Sequence, residues 1–387
     1  MYRFLPLYSS NAHVPRLSSF AVKWRSHIFH LPSSIVALAS LFLLLSFLFS
    51  LFSVKSLYAA TYYVDAMSGT DANDGLSQGT AWKTIAKVNT SRFVPGDSIL
   101  FNKGDTWSEQ LIVPSSGSSG GPITFGAYGT GANPIIDATG LLYGLVINTK
   151  SYITVTDLEI KNFTNIGVID TSSSNTTVTK CYVHDGQGTG IGVSGTTNST
   201  FTYNKIWNLA VSAGAGTYYN GIDVNNNSTG NVFYNNTIAK VYQGCVTFET
   251  GSNGNTAKNN ILDSTGNGAA FPLSIYVDSS ITSLTLGHND YWFTTYLGNW
   301  KGTVETSFSA WVAATGETGS ISANPVFVST TTPDLHLQAT SPCIDAGVNV
   351  GLTQDLADNP VPSIPDIGAY EYAPAAMTPP TGLRILS

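Results

Sequence analysis

Asn204-Lys-Ile206, Asn236-Thr-Ile238, Asn259-Asn-Ile261 and Asn289-Asp-Tyr291 repeat one arrangement, an asparagine two residues ahead of an apolar position. Two earlier copies carry Leu158 before Ile160 and Cys181 before Val183. Counted from Leu158, the spacings are 23, 23, 32, 23 and 30 residues, a base period of 23 with two insertions. Periods of this size mark solenoids, in which one repeat cannot bury its own apolar face and stacking supplies the core. An asparagine at a fixed place in each repeat implies a column of side chains bonding to one another and to turn backbone at a buried corner.

The runs around this column set the kind of solenoid. Leu145-Val-Ile147, Val168-Ile-Asp170, Ile191-Gly-Val193, Ile222-Asp-Val224, Val246-Thr-Phe248 and Ile275-Tyr-Val277 fall into line when the ladder positions are superposed. Alternation with period two turns the first and third members inward and the middle one outward. Asp170 is the misfit, a carboxylate at an inward position. A second strand (Phe201, Phe233) precedes the asparagine and a third (Ile206, Ile238) follows it. Three short strands per coil describe an all-β fold, a single-stranded right-handed parallel β-helix with an N-terminal helical cap and a C-terminal β module. Composition agrees: charged residues make up only 11% of the chain, which contains 37 glycines, whereas helical solenoids are rich in Ala, Leu, Glu and Lys.

Outside the coils the chain divides into four further parts. Residues 1–60 hold Arg3, Arg16, Lys23, Arg25 and Lys55 and no acid, with an uncharged apolar stretch from Leu31 to Val54. A basic flank before an apolar run reads as an export signal, cleaved or retained as a membrane anchor, with the body secreted or at the cell surface. Residues 61–140 form an N-terminal cap and first irregular coils. Within them Trp82, Ile85 and Val88 have helical spacing in Ala81–Ser91, a helix that would cover the open end of the stack. The regular coils run 141–292, the C-terminal coils and capping module 293–372, and a Pro-rich tail 373–387.

Charge narrows the partners. The chain carries −7, and the five basic residues of the first 60 positions leave −12 on the remainder. An acidic body repels phosphate backbones, so nucleic acid is not an expected partner. Three cysteines, Cys181, Cys245 and Cys343, make no even disulfide framework. The body is expected to be a monomer, touching a membrane only through an uncleaved N-terminal segment.

The Tyr62–Asp97 opening, with its Asn73-Asp-Gly75 and Pro95-Gly-Asp97 turns, resembles the N-terminal cap of pectate-lyase-type right-handed β-helix proteins. Phe308-Ser-Ala-Trp311, Asp334-Leu-His-Leu337, Ser341-Pro-Cys-Ile-Asp345 and Asp366-Ile-Gly-Ala-Tyr-Glu-Tyr372 resemble the C-terminal module of exported bacterial β-helix-repeat proteins. Asn324 stands where that module would carry Asp, and Asp358–Ser363 lacks a Gly-x-Arg. The resemblance implies export and a polysaccharide lying along the first strand sheet. The architecture also hosts lyases, hydrolases, epimerases and non-catalytic adhesins, so it does not fix the chemistry.

The outward positions of the first sheet supply the candidate residues. One column runs Ile169, Gly192, Asp223, Thr247, Tyr276. The next runs Asn148, Thr171, Ser194, Asn225, Glu249, Asp278. Coils about 4.8 Å apart would stack Asn225, Glu249 and Asp278 on consecutive rungs, with Asp223 about 8 Å diagonally from Glu249. Stacked carboxylates cannot both ionise cheaply, so one is raised in pKa or a cation lies between them. Asn225, Glu249 and Asp278 offer the hard oxygens calcium needs. As a catalytic pair, Glu249 with Asp278 suits retention and Asp223 with Glu249 suits inversion. A solvated face on an acidic protein is the third reading.

The loop before that sheet aligns Asn162, Asp185, Asn208, Lys240 and Asp263, four residues past the ladder. Lys240, the sole cation there, could act as a lyase base; a surface ion pair with Asp185 or Asp263 is the plainer alternative. Between residues 61 and 372 the only arginine is Arg92, which weighs against arginine-assisted lyase chemistry. Adjacent His184 and Asp185 are not expected to face one another. The inserted loop brings Tyr218 and Tyr219 just ahead of Asp223, where aromatic rings suit sugar stacking. Asn225, Asp185, Thr247 and Tyr276 complete the expected substrate-binding set. The expected function is an extracellular polysaccharide lyase or hydrolase, with calcium assistance and a uronate substrate as its lyase form; the alternative is a non-catalytic surface or adhesion protein.

Overall fold

The computed structural model describes residues 59–209, 219–265 and 272–374, all within one compact unit, Tyr58–Ser387. Three sheets wind around a common core as a right-handed parallel β-helix. The first sheet has nine strands, from Leu111–Ile112 to Thr303–Glu305. The second has nine, from Thr61–Val64 to Leu284–Gly287, and the third eight, from Thr106–Trp107 to Asp290–Trp292. Each coil pairs with the next in parallel. Val168 lies between Leu145 and Ile191, Ile222 between Ile191 and Val246, and Val246 beside Ile275. These inward side chains are all buried, as the alternation requires. On the second sheet Phe201 and Phe233 stack with centroids 5.1 Å apart.

The asparagine column is real, but one member differs from the sequence reading. It runs Asn204, Asn236, Asn260, Asn289: each Nδ2 donates to the next Oδ1 at 3.0 Å. Asn260, not Asn259, is the ladder residue, because Leu262 pairs with Ile238 and the coil between is 24 residues long. Asn259 holds the left-handed corner just before it, at φ 58°, in line with Tyr203 and Asn235 at φ 53°. A second column at the opposite corner was not read from the sequence. Ser199 N donates to Asn231 Oδ1, and Asn231 N to Asn255 Oδ1, both at 2.9 Å. Asp170 does point inward. It is fully buried, accepts a hydrogen bond from the Thr176 hydroxyl and leaves Oδ1 without a partner.

Both ends of the stack are covered. The N-terminal helix is Ile85–Thr90, begun by the Thr84 cap. It is shorter than the spacing implied, because Trp82 bridges Val64 instead of entering the helix. The Asp71 carboxylate accepts from Lys83 N and Thr84 N at 2.9 and 3.0 Å, so that acidic turn orders the helix entry. At the other end, helix Phe308–Thr315 buries Trp311 completely; Trp311 Nε1 donates to Glu317 Oε1 at 2.7 Å.

The chain then returns along the outside of the third sheet. The antiparallel pair Phe327–Ser329 and Asp334–Leu337 and the segment to Tyr372 bury Phe327, Leu335, Ile367 and Tyr370 against Trp207, Ala239 and Ile261. Gly368 N donates to Asn259 O, and Ala369 N to the Thr237 hydroxyl, both at 2.8 Å. Among the described residues no helix is long and apolar enough to cross a membrane; the segment read as a signal or anchor and most of the tail lie outside them.

Candidate active site

The register brings the predicted carboxylates onto one wall. Asp223 pairs with Thr247, and Thr247 with Tyr276. One step on, Glu249 N donates to Val224 O at 2.7 Å and Asp278 N to Phe248 O at 2.9 Å, which carries the same stacking past the strand ends. Asn220, Gln243, Gly244, Thr247, Glu249 and Asp278 help to line a groove of ≈ 380 Å³ here, with Leu273 and Tyr276.

Hydrogen bonds fix the groove floor. The Thr247 hydroxyl donates to Asp223 Oδ1 at 2.7 Å and accepts from Asn220 Nδ2 at 3.2 Å. Asn225 Nδ2 donates to Asp223 Oδ2 at 2.7 Å. Ser280 donates twice to Asp278 Oδ1, from its amide at 2.9 Å and its hydroxyl at 2.6 Å.

These surroundings push the acids apart. Burial raises the Asp223 carboxyl above the usual range. Burial first, then the Asp223 and Asp278 charges, push Glu249 up to about 7. The Ser280 hydrogen bonds hold Asp278, on the solvent side, below the usual carboxylate range. The groove thus pairs an acid that keeps its proton near neutrality with one that has already lost it.

Calcium requires converging oxygens. Among the described residues no group of three or more His, Cys, Asp or Glu side chains is arranged to hold a metal ion. The Asn225 amide nitrogen is turned to Asp223, and its Oδ1 is buried without a partner.

The other predicted residues divide. Tyr219 adjoins the groove through one lining residue: its amide donates to Gln243 Oε1 at 3.3 Å, and its ring meets Tyr242 edge-on, 6.0 Å between centroids. Tyr218 lies outside the described residues. Lys240 is not among the groove-lining residues. Its Nζ donates to Thr330 O at 3.1 Å and lies 4.7 Å from the Trp207 ring centroid, so it ties the returning chain to the third sheet.

Asp185 bonds Asn208 Nδ2 and lies 2.8 Å from His184 Nδ1, while His184 Nε2 lies 3.1 Å from Glu159 Oε1. His184 and Asp185 therefore do meet, because φ 52° at Asp185 turns its carboxylate back onto the ring. Asp263 leaves the predicted row. It pairs with Ala239 within the third sheet, one place earlier than the aligned corner, so Ser264 stands there instead.

The sequence reading missed Asn220, Gly244 and Leu273, which pair with one another as a third outward column. Period-two alternation concealed them: a residue three places before Asp223, Thr247 or Tyr276 is expected to face inward, yet Asn220 Nδ2 reaches the outward Thr247 hydroxyl.

Residues 135–280 match the family model described as right handed beta helix region. A lacto-N-biosidase of Bifidobacterium longum subsp. longum is 34% identical over 130 residues, which cover 26% of this chain and 8% of that enzyme. The chain therefore spans under a tenth of that curated relative. The crystal structure of pectate lyase Pel9A superposes with a TM-score of 0.53 at 16% identity, covering 82% of this chain and 98% of that one. The native GH136 lacto-N-biosidase from Eubacterium ramulus gives 0.50 at 16% identity, covering 62% and 57%. These likenesses are of fold: the chain is a right-handed parallel β-helix protein.

Proposed function

We propose that the first-sheet groove hydrolyses glycosidic bonds of a polysaccharide or oligosaccharide, with Glu249 as general acid and Asp278 as its ionised partner. The observation that carries this reading is the opposite displacement of two neighbouring carboxyls in one groove. Glu249 gives its proton to the leaving oxygen as the bond to the anomeric carbon breaks. Asp278 takes a proton from the water whose oxygen replaces it, or attacks the anomeric carbon first and is then released by water. Asp223, fixed by Thr247 and Asn225, keeps Glu249 protonated by repelling its ionised form. Asn220, Thr247, Tyr276, Gln243 and Tyr219 hold the sugar.

The alternatives have less support. A uronate lyase needs positive charge over the substrate carboxylate, and no lysine or arginine is among the described groove-lining residues. A calcium ion between Glu249 and Asp278 would supply that charge and would draw the proton off Glu249. The similarity to a lacto-N-biosidase points toward a glycosidase. Export is proposed from the composition of residues 1–60, and the body acts as a monomer outside the cytoplasm.

A panel of neutral and uronate polysaccharides tests this. New reducing ends from a neutral glycan, unaffected by EDTA and reduced about 10²–10⁴-fold in Glu249→Gln, are expected. Unsaturated ends from a uronate, lost with EDTA, would replace this reading with the calcium lyase. A panel that stays intact would leave the adhesin.

A further inference from the structure

The outward face of the first sheet changes character halfway along. The column that carries Asp223, Thr247 and Tyr276 continues toward the N-terminal end as Gly192, Ile169, Val146 and Ile112, each paired in register with the next. Ile112 is 43% exposed, and Val146 and Ile169 are half-buried. Ile166 is also half-buried, and a Cβ on Gly192 would meet it at 3.2 Å. Leu142, whose carbonyl accepts from Ile166 N, is 59% exposed. The adjoining column here is Asn148, Thr171 and Ser194, polar but uncharged. The groove carboxylates Glu249 and Asp278, and Asp223 beside them, all belong to the following coils.

We propose that this aliphatic half binds an apolar aglycone, so that the substrate is a glycoside with its sugar in the acidic half and an alkyl or lipid chain along Ile169, Val146 and Ile112. The proposal rests on the glycosidase reading of the groove. Two observations favour this occupant. The apolar column is continuous, rung on rung, with the column that holds Asp223, so one ligand reaches both halves; Ile112 lies four rungs from Asp223, ~19 Å at the usual strand spacing. The column is also aliphatic. A continuing sugar chain calls for aromatic platforms, and the column Gly192, Ile169, Val146 and Ile112 contains none. An unpaired aliphatic strip rimmed by polar residues is what an apolar ligand covers.

The test uses alkyl glucosides and galactosides of increasing chain length, below their micelle concentrations. Binding to the Glu249→Gln protein is measured by calorimetry, so that no turnover is needed, and KM is measured on the wild type. Affinity is expected to rise up to about fourfold per methylene and to level off once the chain passes Ile112. Ile169→Asn and Val146→Asn should flatten that slope while the melting temperature holds. Affinity independent of chain length, or a slope that survives in both variants, would overturn the proposal. So would a gain with longer oligosaccharides instead of longer alkyl chains. A slope without any turnover by the wild type would uphold the apolar site and remove the glycosidase reading.

Discussion

Glu249 is set apart from the other groove acids by what surrounds it. Its backbone position was legible in the sequence, because period-two alternation and the coil period fix which residues share a wall. Its proton affinity was not, since that depends on how deeply the side chain sits and on the Ser280 hydroxyl that stabilises Asp278 instead. Asp170 shows the same limit. Its inward position was evident, but not that burial pushes its carboxyl up to about 6. In the unfolded chain the group titrates near 3.8, so the folded state binds the extra proton between those values and stability falls as pH rises through that window. Above pH 6 the full penalty applies. Asp170→Val, matching Val193 and Val224 in its column, is therefore expected to stabilise the protein at pH 8 by about 1–3 kcal/mol and by much less at pH 4. Urea unfolding at the two pH values reads this; equal effects at both would mean the buried carboxylate costs nothing by ionising.

The ladder is the element that dictates coil geometry, and its one misreading is instructive. Asn259 and Asn260 are adjacent, and each site has its own reason to take asparagine. The corner needs a residue that tolerates the left-handed region, and the ladder needs a side chain that both donates and accepts. A fixed period cannot tell them apart; only the single added residue in that coil does. Asn260 Nδ2 donates to Phe233 O and Lys258 O, and its Oδ1 accepts from Asn236. Asn260→Ala leaves several buried groups unpaired, each costing about 1–3 kcal/mol, so a loss of at least about 3 kcal/mol is expected in denaturant unfolding. A loss below about 1 kcal/mol would mean that the column does not hold the coils. The Ser199, Asn231 and Asn255 column has the same spacings of 32 and 24 residues as the ladder but escaped notice because only two of these members are asparagine.

At the scale of the molecule, the returning C-terminal segment occupies the outside of the third sheet. It engages two side chains the sequence reading had placed elsewhere: Lys240, read as a possible lyase base, and Asn259, read as a ladder residue. Apolar burial dominates this attachment. Ile367→Ala should cost about 2–4 kcal/mol, whereas Asp358→Ala, which breaks an exposed pair with Lys180, should cost no more than about 1 kcal/mol; thermal melts of both compare them, and the reverse order would make the attachment electrostatic. The same threading of distant residues onto one wall is what gives Glu249 its neighbours. The pH dependence of kcat/KM, measured for wild type and Glu249→Gln on a glycan and on an aryl glycoside whose leaving group needs no proton, tests that most directly. The wild type should lose activity on the glycan as pH rises through about 7. Glu249→Gln should lack that limb and keep substantial activity on the aryl glycoside alone. A limb that persists in Glu249→Gln, or equal loss on both substrates, would contradict the assignment of Glu249 as proton donor.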